Sequence, residues 1–409
     1  MANILIITSV FPPEPVVSAG ISYDIADSLS QQHSVTVISP KPTRPYGFSF
    51  QQPQVTFHFA HIVASSYVHP QSGILGRFHE SYSFGKYCYN YIVKNHKNID
   101  LIYANTWPLM SQYFDVKAAK KYHIPIVIHV QDIYPESLLK KLRIAAPFFK
   151  NILMPLDKYI LRNANHVLTI SVKMKDYLAK SRKLNSDKIS VIPNWQDEAP
   201  FINYRQERPI VAPEKNFKFM YLGNIGPVAG IDVLLKSFAK AHLENAALII
   251  AGSGSMKDTL VKDAKNIPEC RIEFWDVPDG RVPEIQSKAD VLLLPVKKGD
   301  ASSSIPSKLL AYMFSAKPII ASVDIDSDTA AVINAARCGY TIESGDIDLL
   351  SAVMKQAYSL EKSEMEKMGI NGRHHALENF SKKINLKKAE SVFKSLLKLE
   401  SQTKTISNE

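Results

Sequence analysis

Cysteine is scarce: the 409 residues hold three, Cys88, Cys270 and Cys338. They are far apart and odd in number, which excludes a local zinc knuckle and a disulfide scaffold and fits a reducing compartment. Long apolar runs are missing too. Nothing approaches the roughly 20 consecutive apolar residues of a membrane-spanning helix. The opening MANILIITSVFPP has no basic leader ahead of its short apolar run, so it reads as a buried first strand and the expected location is the cytoplasm. Acidic residues are in deficit, and unevenly so. Residues 1–200 hold 21 Lys+Arg against 13 Asp+Glu, a balance of +8, whereas residues 201–409 hold 28 against 26, a balance of +2. Such an excess on one half suits an anionic surface, phospholipid or nucleic acid; a solvated basic face is the alternative.

What is present is a globular composition, 45% hydrophobic and 22% charged, over a length that allows two domains. In the first half, β-branched runs at 3–9, 35–39 and 55–59 alternate with a helical pattern at 21–31. Gly20, at the expected loop-to-helix step, either lets a substrate approach the backbone or eases a turn. Residues 67–97 interleave Tyr and Phe with Arg77, Lys86, Lys94 and Lys97. Core packing comes first as their explanation, since Tyr87, Tyr91 and Ile92 have helical spacing; a bilayer interface or stacking on single-stranded nucleic acid are the others. Strands at 101–104 and 126–130 flank a helix at 113–122. The second runs into His129-Val-Gln-Asp132-Ile-Tyr-Pro-Glu136-Ser137, putting a histidine and two acids at the edge where open parallel sheets bind ligands. Residues 147–162 carry helically spaced apolar positions that either pack on the sheet or lie in a membrane interface. Strands at 167–171 and 189–193 close this half, and the polar, Pro-punctuated stretch 196–214 reads as a linker.

The second half repeats the alternation, with strands at 217–222, 247–251, 272–275, 291–295 and 319–322. Gly-rich turns follow two of them: Gly223-Asn224-Ile-Gly226 and Gly252-Ser-Gly254. The stretch DASSSIPSKLLAYMFSAKPIIAS, from Asp300 to Ser322, reads as a hydroxyl-rich loop with Ser303 and Ser304, an N-cap at Ser307, and a helix with an apolar face at Leu309, Leu310 and Met313. A diphosphate would be held by the free amides of that helix start and by Lys308. An ordinary strand-loop-helix unit is the plainer reading.

The order of these motifs resembles the GT4 family of retaining glycosyltransferases. The resemblance covers nearly the whole chain, through the Gly20 loop, the strand ending at His129, Pro193-Asn194, Leu222-Gly223-Asn-Ile-Gly226, Ile250-Ala-Gly252-Ser-Gly254, Ala289-Asp290 to Pro295 and Ser307-Lys308 to Lys317-Pro318. Asp132-Ile-Tyr-Pro-Glu-Ser137 and Pro306-Ser-Lys-Leu309 look most like enzymes that build O-antigen, capsule and colanic-acid-like polysaccharides. It implies an α/β GT-B fold: two Rossmann-like domains facing each other across a cleft, 1–198 for the acceptor and 199–382 for the nucleotide sugar, with a helix at 383–400 packing back on the first. It further implies transfer of a hexose or an N-acetylamino sugar from a UDP-sugar, without cofactor or metal, to a saccharide or polyprenyl-diphosphate-linked acceptor, peripherally at the inner face of the cell membrane and with no nucleic acid partner. Under it, Lys308 stabilises the leaving diphosphate, His129 orients a donor-sugar hydroxyl and Asp132 lines the acceptor side. Gly20, Asn224, Gly226, Gly252, Gly254, Ser303, Ser304 and Ser307 join Lys308 around the nucleotide sugar. Two features depart from the family pattern. Its paired glutamates fall on Ser303 and Ala311, and its Arg and Lys after the strand fall near Asn224 and Ala229. A non-catalytic binding protein of the same fold, and less so an epimerase, are the alternatives.

Overall fold

Seven runs, most of them rich in Ile, Val and Leu, form one parallel sheet whose central strands are buried on both faces. They are β1 (Asn3–Thr8), β2 (Ser34–Ser39), β3 (Ala60–Val63), β4 (Leu101–Asn105), β5 (Ile126–Val130), β6 (His166–Thr169) and β7 (Ile189–Val191), in the spatial order β3-β2-β1-β4-β5-β6-β7. Six more, β8 (Phe217–Leu222), β9 (Ala246–Ala251), β10 (Ile272–Trp275), β11 (Val291–Pro295), β12 (Ile319–Ser322) and β13 (Gly339–Ile342), form a second, in the order β10-β9-β8-β11-β12-β13. Every pairing in both is parallel. The computed structural model describes residues 1–44, 57–69, 73–106, 109–142, 146–207, 216–299 and 305–406.

The strand order reverses direction between β1 and β4 in one sheet and between β8 and β11 in the other. Chain leaving neighbouring strands there departs to opposite sides, opening a crevice at their carboxyl ends. The chain divides into two compact units, Met1–Asn194 with Asn385–Glu409, and Trp195–Ile384. The last helix, Lys382–Ile406, is tied to the first unit by Phe393, 5.6 Å from the Tyr103 ring centroid, and by a hydrogen bond from Ser28 to Glu390. No helix of the described residues is long and apolar enough to cross a membrane.

Several expectations shift. The third strand lies at Ala60–Val63, after the run expected at 55–59, whose first two residues fall outside the described residues. Its neighbours Phe57 and Phe59 instead pack as rings around Phe11 and Tyr23. The supposed linker contains a helix, Ala199–Glu207, whose buried Phe201 stacks 5.8 Å from Phe314 in the second unit's core. The first helix begins at Val17, so Gly20 lies inside its opening turn and no turn depends on it. Part of 67–97 is core, the explanation placed first above. In the helix Ile74–Asn95, Phe84, Cys88 and Ile92 are core and Tyr87, Tyr89 and Tyr91 pack on it, whereas Leu75, Phe78 and Tyr82 stand exposed on one face.

Candidate active site

In the second unit the turn after β8 meets the helix after β11, the two neighbours across the strand-order reversal. Lys308 is the second residue of the helix Ser307–Phe314 and lays its alkyl stem over Gly223. A Cβ at Gly223 would come 2.1 Å from Lys308 Cε, so glycine there is what lets the lysine pass. Lys308 Nζ lies 5.3 Å from the Tyr221 ring centroid. Burial pushes its pKa down. No carboxylate pairs with it among the described residues. A largely buried cation without a counter-ion is costly unless an anion completes the site.

The cap expectation needs correcting. Pro306, in extended conformation, stands at the N-cap, and Ser307 is the exposed first helical residue with no side-chain cap bond at this end. The helix start therefore presents uncapped amides beside Lys308. Ser303 and Ser304 lie outside the described residues.

Gly252 and Gly254 support the site from behind. A Cβ on Gly252 would sit 2.2 Å from the Gly223 carbonyl oxygen, and one on Gly254 would sit 2.3 Å from that of Ile225. The two turns are laced together by Gly223 N–H to Ala251 O at 3.0 Å and Ile225 N–H to Ser253 O at 2.7 Å. Asn224 is exposed, its carbonyl accepting from the Tyr221 hydroxyl at 2.6 Å, and its side chain lies over Gly226. The two glycines 223 and 252 should respond differently to alanine. Gly252→Ala drives a methyl into backbone at φ +129 and should cost about 1–3 kcal/mol of stability in urea unfolding. Gly223→Ala is strained too, at φ +157, and its methyl also meets the Lys308 side chain, so besides lowering the urea midpoint it should displace Lys308 and weaken nucleotide binding in calorimetry.

In the first unit a cavity of about 140 Å³ opens at the carboxyl ends of β1, β4 and β5, lined by Ser9, Ser18, Asn105, Thr106, His129 and Gln131 with Asp132 at its exposed side. His129 is buried, and its Nδ1 is 2.7 Å from the Tyr103 hydroxyl on β4, while Nε2 has no partner. Tyr103 pairs with Val127 in register, which sets its ring beside the strand end that carries His129. Burial lowers the histidine's pKa to about 4, so the ring is neutral at physiological pH. Because the folded pKa lies below the unfolded 6.5, the unfolded chain binds the extra proton. The stability this neutral ring confers is complete above pH 6.5 and is lost as pH falls toward 4, by about 3 kcal/mol in all. Urea unfolding at pH 7 and pH 4.5 checks this, and His129→Gln should flatten the difference. Gly20 is exposed within the helix Val17–Ser30, which brings Ser18 to this cavity, and a Cβ there would meet nothing within 4 Å.

Glu136, expected among the site acids, is instead structural. Arg182, fully buried, donates to Glu136 Oε1 and Oε2 at 2.6 and 2.7 Å, to Asp157 Oδ2 at 2.7 Å and to the Tyr134 carbonyl at 3.0 Å. Tyr177 adds a bond to Glu136 at 2.6 Å. Burial works against the Glu136 charge, but the bonds from Arg182 and Tyr177 outweigh it and hold the carboxyl below its usual pKa. This knot anchors the turn that carries Asp132 to the helices Ala146–Asn163 and Val172–Arg182. Sequence reasoning missed Arg182, one basic residue in a lysine-rich helix, and Tyr103, Ser18 and Gln131, whose roles depend on strand adjacency. No group of three or more His, Cys, Asp or Glu able to hold a metal occurs among the described residues.

Residues 21–199 match the family model described as Glycosyltransferase Family 4, and residues 204–375 match the one described as Glycosyl transferases group 1. The probable glycosyltransferase WbjE of Pseudomonas aeruginosa is 26% identical over 66% of this chain and 68% of its own length. The putative colanic acid biosynthesis glycosyl transferase WcaI of Escherichia coli K12 is 23% identical over 45% of this chain and 47% of its own. Anabaena Alr3699/HepE, solved in complex with UDP, superimposes with a TM-score of 0.68 at 15% identity, covering 97% of this chain and all of that one.

Proposed function

The chain belongs to the GT4-type retaining glycosyltransferases of GT-B fold, and from that premise we propose that it transfers a sugar from a UDP-sugar to a saccharide or lipid-linked acceptor in bacterial surface polysaccharide synthesis. The observation that carries the reading is Lys308, a largely buried cation without a carboxylate partner among the described residues, laid over Gly223 beside an uncapped helix start. In retaining transfer the leaving diphosphate gains charge as the glycosidic bond stretches, so positive electrostatics there matter most. Lys308 and the amides at Ser307 answer that demand, on a backbone frame spaced by Gly252 and Gly254. The missing paired glutamates leave more of the donor's hold to this cation and these amides. His129 offers a neutral imidazole to a sugar oxygen, and Asp132 faces the acceptor. UDP is the donor nucleotide favoured by the HepE complex. Titration calorimetry should show UDP binding that Lys308→Ala weakens; no detectable UDP binding at millimolar concentration would contradict the assignment.

Peripheral membrane contact belongs to the same reading. The helix Ile74–Asn95 exposes Leu75, Phe78 and Tyr82 at helical spacing beside exposed Arg77, Lys86 and Lys94. The helix Ala146–Asn163 exposes Phe148, Phe149 and Ile152. At about 1 kcal/mol per basic residue near an anionic leaflet, a few such residues and inserted rings suffice for reversible attachment. The protein should sediment with anionic vesicles, be released by high salt, and bind less well after charge reversal of Arg77, Lys86 and Lys94. Equal binding to neutral vesicles would argue for a soluble acceptor.

A further inference from the structure

A second cavity of the first unit, about 480 Å³, opens at the amino ends of β5, β6 and β7, where Pro125, Asn165 and Lys188 each stand one residue before a strand. It lies at the opposite edge of the sheet from the cavity of His129. Its described lining carries four basic side chains, Lys120, His123, Arg162 and Lys188, and no acid. None of the four has a carboxylate partner among the described residues.

The plainer account is that cations gather where helices end. Lys120 stands in the last turn of the helix Met110–Lys121 and Arg162 in the last turn of Ala146–Asn163, and each answers the negative end of a macrodipole. Two helix ends carry roughly −0.5 charge each, so Lys120, Arg162 and Lys188 together leave a surplus of about two positive charges. The side chains are also held in place. Arg162 Nε donates to the Arg182 carbonyl at 2.9 Å, and Lys120 Nζ donates to Asn163 Oδ1 at 2.7 Å and lies 5.7 Å from the Tyr159 ring centroid. Asn165 Oδ1 accepts from the Ile126 N–H at 3.0 Å, so what the Asn163 and Asn165 side chains have left to offer a ligand is N–H. A lining of N–H donors with a surplus of about two charges suits a group that only accepts and carries two negative charges, which is a phosphoryl dianion. Ile124, Pro125 and Leu396 supply apolar wall for the organic part that such a group is attached to.

The exposed rings assigned above to a membrane lie at the far ends of the helices that reach this cavity. Phe148 and Phe149 are in the first turn of Ala146–Asn163, about 20 Å from Arg162 at 1.5 Å per residue. Leu75 and Phe78 open the helix Ile74–Asn95, about 30 Å from its other end, where His96 stacks 4.0 Å from Tyr122 beside His123. A headgroup of the bilayer that those rings enter is therefore remote from Lys120, Arg162 and Lys188, and a free ligand is favoured.

We propose that this cavity is a binding site for a water-soluble phosphorylated small molecule, with its phosphoryl group held by Lys120, Arg162 and Lys188. The site goes beyond the transferase reading and does not rest on it. Because Leu396 belongs to the last helix, an occupant joins that helix to the ends of two others in the first unit.

The probe is inorganic pyrophosphate, titrated by calorimetry into the full chain carrying Lys308→Ala, in which the diphosphate site of the second unit is disabled. Pyrophosphate at millimolar concentration or below should bind, and amide hydrogen exchange should slow in peptides spanning 119–126 and 185–191. Adding Arg162→Gln and Lys188→Gln should weaken that binding about tenfold or more. In the chain that keeps Lys308, the same two substitutions should leave UDP affinity at the wild-type value. Should the doubly substituted chain fail to fold, the exchange pattern of the parent still decides. No pyrophosphate binding to the Lys308→Ala chain, protection confined to other segments, or binding that survives both substitutions overturns the proposal. Loss of anionic-vesicle binding on Arg162→Gln and Lys188→Gln, with no pyrophosphate bound, also overturns it and assigns the cavity to a lipid headgroup. None of these results bears on UDP-sugar turnover, so the transferase reading stands or falls separately.

Discussion

Lys308→Ala is expected to lower turnover by at least about tenfold, and by up to ~10³-fold if the loss matches removal of an oxyanion donor, about 2.7–4 kcal/mol. The stem of Lys308 crosses Gly223 and its ammonium sits near the Tyr221 ring, so the side chain is held where the turn after β8 and the helix Ser307–Phe314 converge. Removing it takes a cation from beside the uncapped helix start, while its loss from the fold relieves a largely buried charge with no carboxylate partner among the described residues. Stability should therefore hold or rise as the rate falls. Lys308→Arg should not restore the rate, since a planar fork differs in shape from a point charge and would not thread over Gly223. Steady-state kinetics with a thermal melt separates these outcomes; a near-normal rate for Lys308→Ala would remove this residue from the mechanism.

Arg182→Ala should cost about 3–5 kcal/mol of stability, because it strands the buried Asp157 carboxylate and the half-buried Glu136 at once. Glu136 and Asp157 both bond the guanidinium, and the Tyr134 carbonyl takes a further N–H. Urea unfolding should show a large fall in midpoint, and Arg182→Lys should recover little of it, since an ammonium cannot bridge both acids and the carbonyl in one plane. An unchanged midpoint would mean the knot contributes nothing net. The consequence for function is indirect: the turn Gln131 to Glu136 carries Asp132 and borders the cavity, so loosening it should blunt sugar handling before it touches nucleotide binding.

The buried parallel strands were legible because each is a short apolar run bounded by Pro, Gly or polar residues, and 291–295 and 319–322 fall at the boundaries the sequence suggests. Two edge strands were not legible, one moving from 55–59 to Ala60–Val63 and one, Gly339–Ile342, not expected at all, although the edge strand Ile272–Trp275 was. Ala60–Val63 and Gly339–Ile342 are short and half exposed, and they contain His61 and Gly339, so their periodicity is weak. Gly339 is there for contact: a Cβ would sit 1.8 Å from the Ile319 carbonyl oxygen, which no local pattern reveals. At the candidate site the sequence could show which side chains end strands, as with His129, or open a helix, as with Lys308. It could not show that Tyr103 holds His129, that Gly223 makes way for Lys308, or that Glu136 serves Arg182. Each of those pairings joins residues that are remote in sequence and become neighbours only through the strand order.

The measurement that bears most directly on the central claim is release of nucleoside diphosphate from a panel of UDP-sugars, supplied with a polyprenyl-diphosphate-linked saccharide in anionic vesicles. A transferase should release UDP from at least one donor in step with the appearance of an elongated glycolipid that retains the donor's anomeric configuration, and Lys308→Ala should suppress both together. Tight binding of a UDP-sugar with neither UDP released nor glycolipid extended would contradict the account and identify a sugar-nucleotide-binding protein that keeps the fold.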